Sequence, residues 1–184
     1  MRSRQQLENG VSTNRSLNMS EAEHVYTPPR EHSAGGIPAA VASYLDGENL
    51  LTKMQALRLS TVDAEGWPHA ALLSAGDMLA LSGGRIRFAI FPRSGMAANL
   101  ARDGRITMSL SLDGGMWELR MRARRLQQAT PEVPLACFEA QVVRVREHVA
   151  PYADVTTGIT FVLHDPHLVL SRWQRQIAAL RAAA

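Results

Sequence analysis

The segment Phe91-Pro92-Arg93-Ser94-Gly95-Met96-Ala97-Ala98-Asn99-Leu100 gathers the residue types that handle an anion. It leaves an alternating stretch, turns at proline and enters a helix at Ser94, a residue type that caps free main-chain amides. Gly95, having no side chain, lets a ligand come close to the backbone. A helix N-terminus with unsatisfied N–H groups, a hydroxyl and the neighbouring Arg93 suits a phosphate dianion. The same residues also suit a helix whose Ser94 caps only itself while Arg93 sits in water. The segment alone does not choose between these.

Other residues carry chemistry with a plainer alternative beside it. His69, following Pro68, offers a donor or an acid, or it is a partly packed imidazole. His164-Asp165-Pro166-His167 has two imidazoles and a carboxylate. Asp165-Pro166 is, however, the expected N-cap and first-residue pair of a helix, and no third ligand stands at a defined spacing, so no metal site is expected. Arg120, Arg122, Arg124 and Arg125 form a basic stripe that reads as a solvated, carboxylate-paired face. It has no interleaved aromatic platform, and no nucleic-acid partner is expected. Trp117 and Trp173 could stack on a planar ring but fit a core or an interface as well. Cys137, between Leu135 and Phe138, reads as a small buried apolar residue.

The elements that must position these residues belong to a chain of 184 residues, with 46% hydrophobic and 20% charged residues and a formal net charge of +3. That is globular composition for one domain, and it excludes a collagen-like repeat or a disulfide scaffold. A single cysteine cannot close an intrachain bridge, so a reducing, cytoplasmic setting is the expectation. No run reaches the roughly 18–20 apolar residues of a membrane helix, and the first twenty residues lack the apolar stretch of a signal peptide, so no membrane partner is expected. Of the 20 basic residues, 19 are Arg and only Lys53 is Lys. Any bound anion must therefore be held by guanidinium, backbone amides or hydroxyls.

Residues 1–36 show no sustained periodicity and read as a flexible N-terminal arm, leaving 37–184 as the folded domain. Pro38 opens a short helix stopped at Asp46-Gly47. Period-two alternation then predicts strands at 57–62, 67–74, 85–90, 105–112 and 117–124, with a sixth at 158–163. Helices are expected at 95–103, about 135–148, and from Pro166 to Ala183. Six short strands at hairpin spacing favour a small antiparallel barrel with flanking helices, because closure removes unpaired edges.

The order of motifs resembles the FMN-binding split barrels related to pyridoxamine 5'-phosphate oxidase. Leu59-Ser60-Thr61-Val62-Asp63-Ala64-Glu65-Gly66-Trp67-Pro68-His69 is similar to that family's first hairpin, and Ala71-Leu72-Leu73-Ser74-Ala75-Gly76 to its second strand. Arg93-Ser94 through Asn99-Leu100 matches its phosphate loop and helix. The ending Gly158-Ile159-Thr160-Phe161 with Arg172-Trp173-Gln174-Arg175 looks like that of one uncharacterised subgroup. The resemblance implies a six-stranded split β-barrel and a homodimer with an FMN in each of two shared clefts. Ser94, Met96 and Asn99, with Phe91 at the head of the loop and Arg93 as the local cation, fall where the phosphate is cradled. Leu73, Ser74 and Ala75 fall on the strand bordering the ring. Met96 and Ala71 stand where the oxidases carry positive charge, and the oxidase substrate signature is absent. The implied function is an FMN-dependent oxidoreductase acting on a small molecule; the alternative is a non-catalytic module for a small ligand or haem.

Overall fold

The computed structural model describes residues 26–33, 35–127 and 134–183. In chain order the strands are β1 (Arg30–His32), β2 (Leu57–Val62), β3 (Pro68–Leu73), β4 (Met78–Leu81), β5 (Arg85–Ile90), β6 (Arg105–Leu112), β7 (Gly115–Arg125) and β8 (Ala136–His148). The helices are α1 (Ala39–Tyr44), α2 (Gly95–Asp103) and α3 (Pro166–Ala182). Every strand pairing is antiparallel, and the path across the sheet is β3-β2-β6-β7-β8-β5-β4. The long β8 lends its first half to β5 and its second half to β1.

Chain connectivity forces this sheet to curl. β3 and β4 lie at opposite ends of the path yet are consecutive in sequence, joined by residues 74–77. A flat seven-stranded sheet would separate its edges by six spacings, about 28 Å. Five extended Cα steps reach at most about 17 Å. The ends must therefore turn toward each other, which makes a barrel split between β3 and β4. The expected split barrel is what the chain forms, with seven strands along its path instead of six.

The interior is filled by the inward-facing residues of the alternating strands, among them Leu57, Leu59, Met78, Ile86, Met108, Leu119 and Met121. Phe88 and Phe138, opposite each other on β5 and β8, stack with ring centroids 5.5 Å apart. A second apolar cluster lies outside the barrel, where Trp173, Ile177 and Leu180 of α3 cover Leu79, Ala89 and Cys137. The approach is close: a Cβ on Gly76 would sit 2.0 Å from Trp173 Cγ. The first-turn reading of α3 holds, since Asp165 accepts a hydrogen bond from Leu168 N at 2.9 Å ahead of Pro166. Its far end is held by Arg87, which donates to Leu180 O at 2.9 Å while its Nε donates to Glu139 at 2.9 Å. Trp117 and Trp173 are both core residues.

Three expectations need correction. The segment 135–148 is the strand β8, not a helix. Its first five residues are buried on both faces, between barrel interior and α3, so they carry no period-two pattern. Cys137 accordingly sits on a strand beneath α3, where burial pushes its thiol up from the ordinary range. The segment 158–163 is not a strand: it makes one isolated bridge, Thr160 opposite Gln55, with Ala56 N donating to Ile159 O and Phe161 N to Met54 O. β4 was not expected at all; it has four residues, buried or half-buried without alternation. Of the expected arm, residues 1–25 lie outside the described residues, while Arg30–His32 forms β1. Arg144 and Arg146 bind Glu31 of that strand and hold its carboxyl down at about 2.

Candidate functional site

A cleft of about 600 Å³ opens at the split of the barrel. One wall is β3, contributing His69, Ala71 and Leu73. The end of β5 and the start of α2 form the floor, with Ile90, Phe91, Ser94, Gly95 and Met96. The far wall is α3, which presents Arg172, Arg175 and Gln176. The volume lies within the usual range for small-molecule sites, and apolar walls with a few polar groups are their usual make-up.

At the α2 end, Ser94 is the N-cap and its Oγ accepts from Ala97 N at 3.2 Å. Ala98 N reaches Ser94 O. The first two helical amides, those of Gly95 and Met96, have no acceptor within the helix by geometry, and both residues line the cleft. The φ of Gly95 is not in the left-handed region, so backbone conformation does not require glycine there. What a side chain would meet is His69: a Cβ at Gly95 would lie 3.3 Å from its Nε2.

On the α3 wall, positions 172, 175 and 176 share a helix face. Gln176 is buried; its Nε2 donates to Asp77 Oδ1 at 2.8 Å, which fixes the amide orientation because an ionised carboxylate only accepts. Its Oε1 is buried without a partner, as is Nδ1 of His69. Asp77 is itself occupied, taking Ser74 N at 2.9 Å and Ser74 Oγ at 2.5 Å on Oδ2. Arg172 and Arg175 are exposed, and neither enters an ion pair among the described residues. Two guanidiniums at a cleft without carboxylate partners are open to an anionic ligand.

The eight residues expected at a site divide evenly. Leu73, Phe91, Ser94 and Met96 line the cleft. Ser74 is buried with its hydroxyl committed to Asp77, and Ala75 lies in the cluster under α3. Arg93 is exposed outside the lining. Asn99 is buried on the inner side of α2, where its Nδ2 donates to Thr61 Oγ1 at 3.0 Å and its Oδ1 accepts from Arg102. Arg172, Arg175 and Gln176 were missed as site residues. Their spacing around Trp173 and Ile177 marks them as the flank of the buried stripe, and that was the available clue.

Comparison with known proteins places the chain. It is 37% identical over 139 residues to the uncharacterized protein YclD of Bacillus subtilis, covering 74% of this chain and 90% of that one. The chain belongs to the family of YclD. No family model matches it. Among solved structures, HupZ of Group A Streptococcus superposes with a TM-score of 0.50 at 13% identity, covering 65% of this chain and 99% of HupZ. This likeness extends to the fold, the split barrel. An FMN-binding protein from Syntrophomonas wolfei gives a TM-score of 0.46 at 19% identity over 59% of this chain and 83% of its own. Among the described residues no helix is long and apolar enough to cross a membrane.

Proposed function

We propose that this YclD-family protein is an FMN-binding flavoprotein and an oxidoreductase of a small-molecule substrate, working in the cytoplasm as a homodimer whose cofactor sites are shared. The observation that carries the reading is the cleft itself. A helix N-terminus with two open amides lies at one end, an apolar strand wall runs along its side, and Arg172 and Arg175, without an ion pair among the described residues, lie opposite. The residues fit a phosphorylated planar ring in two respects. Gly95 leaves a cradle that a Cβ would fill against His69, and the wall contains polar atoms, Gln176 Oε1 and His69 Nδ1, that the protein leaves unpartnered.

In this reading Gly95 and Met96 donate main-chain N–H bonds to the phosphate and Ser94 completes the rim. Leu73, Ile90 and Met96 pack against the ring and exclude water. FMN would supply the two-electron chemistry, which requires no protein acid or base. Arg172 and Arg175 orient anionic groups in the open half of the cleft. A second copy of the chain would cover its mouth. β3 is an edge strand, and Leu72 and Phe91, at 51% and 73% exposure, stand at the opening. Large apolar residues gathered at a cleft rim favour burial by a partner.

The decisive experiment is the visible spectrum of the purified protein, followed by FMN titration and sedimentation. Flavin absorbance, or tight uptake of added FMN by a dimer, is expected. A colourless protein that takes up no FMN at micromolar concentration overturns the reading. The alternative, a non-catalytic module for a small ligand or haem, has one observation in its favour, the imidazole of His69 in the cleft. A Soret band on adding haem, with no flavin uptake, would select it.

A further inference from the structure

The phosphate end of the cleft lacks the cation expected of it. Arg93 is exposed and outside the lining, and Met96 and Ala71 bring no charge. Two amides and a hydroxyl then face a dianion without a full positive charge on the α2 side. One titratable group does stand there. His69 reaches across from β3 so that its Nε2 lies 3.3 Å from where a Cβ on Gly95 would stand, and its buried Nδ1 has no hydrogen-bond partner among the described residues. Across the β2–β3 ladder its neighbour is Thr61, which already accepts from Asn99. The other charged groups of the cleft are Asp77, occupied by Ser74 and Gln176, and Arg172 and Arg175 on α3.

We propose that His69 is the cation of the phosphate site: as imidazolium it donates from Nε2 to the same phosphate that the Gly95 and Met96 amides hold. This rests on the FMN reading and adds to it a pH-dependent grip. Imidazole changes charge between about pH 5 and 8, and a phosphate monoester loses its second proton near pH 6. A bound dianion favours the charged imidazole, so the two titrations overlap in the complex. Phosphate-specific affinity should then rise with pH as the ester becomes a dianion and fall again as His69 loses its proton. Ordinary amides and guanidiniums produce the rise but not the fall.

The test is titration of FMN and riboflavin, by quenching of flavin fluorescence, between about pH 5 and 9. It uses the wild-type protein and the variants His69→Asn and His69→Lys, each checked for an unchanged thermal transition. The ratio of FMN to riboflavin affinity should be bell-shaped in the wild type. His69→Asn should lower it by about tenfold or more near pH 6, the range for losing a charge-assisted hydrogen bond, and remove the falling limb. His69→Lys should restore the ratio and keep it high above pH 8. Superposable ratios for wild type and His69→Asn would overturn the assignment while leaving FMN binding intact. Equal losses for the two flavins in His69→Asn would do the same. If neither flavin binds the wild type, the cofactor reading fails and this one with it.

Discussion

Replacing Gly95 by Ala separates what the residue does for the helix from what it does for a ligand. Gly95 is the first residue of α2 with an ordinary φ, so Ala is conformationally acceptable there and lowers the entropy lost on folding. The gain is at most about 0.5–1 kcal/mol. Against it stands one contact, the new Cβ at 3.3 Å from His69 Nε2. That is a few tenths of an ångström inside the roughly 3.5 Å of comfortable contact, and a ring tip on an edge strand can yield that much. Unfolding stability should therefore stay level or rise slightly. The same methyl group would stand over the open amides, where an anion has to approach. Losing one hydrogen bond to a charged group costs about 1.5–3 kcal/mol, so FMN affinity should fall by roughly tenfold or more and riboflavin affinity much less. Denaturant unfolding and flavin titration on the same preparation read both effects. Unchanged FMN binding would refute the approach of an anion to this backbone. A marked loss of stability would refute the claim that glycine is here for a ligand.

Trp173→Ala should cost about 3–5 kcal/mol in denaturant unfolding, because the ring is 2% exposed and fills the space over Gly76; a loss below about 1 kcal/mol would show that α3 is not anchored there. Arg172→Ala with Arg175→Ala should leave stability within about 0.5 kcal/mol, both being exposed, while weakening anionic ligands in the cleft; unaltered binding would remove them from the site. For Glu139, burial alone would push the carboxyl up, but hydrogen bonds from Arg87 and Arg124 outweigh it and the group titrates below its ordinary range. A lowered folded pKa stabilises above the unfolded one and loses that contribution as pH falls through the folded one. The wild type should thus exceed Glu139→Gln by on the order of 3 kcal/mol at neutral pH, with the gap closing as pH falls below the ordinary carboxylate range. A gap that widened in acid would contradict the arrangement.

What the sequence reveals and what it hides here have one physical origin, the number of faces a strand buries. β6 reads plainly because one face fills the barrel and the other is half-exposed, so Ile106, Met108 and Leu110 alternate with Thr107, Ser109 and Ser111. β8 reads as a helix because Ala136 to Ala140 are covered on both sides, and the β-branched Val142, Val143 and Val145 come only afterwards. The layer that erases the alternation is α3, the element that also carries Arg172, Arg175 and Gln176 to the cleft. Half of the expected site follows from one continuous loop, since Phe91, Ser94 and Met96 need only α2 to start where Ser94 caps it. The other half depends on how far each side chain rotates around its element. Asn99 lies five residues past the cap, which carries it to the barrel side, and Arg93 precedes the cap, exposed and outside the lining. The α3 residues lie about 80 positions from the loop in sequence and are brought to it by tertiary packing, of Trp173 on Gly76, of Gln176 on Asp77 and of the helix over Ala89. A site assembled across that interface becomes legible only when the covering helix is placed, and the small residue beneath the tryptophan is what permits the placement.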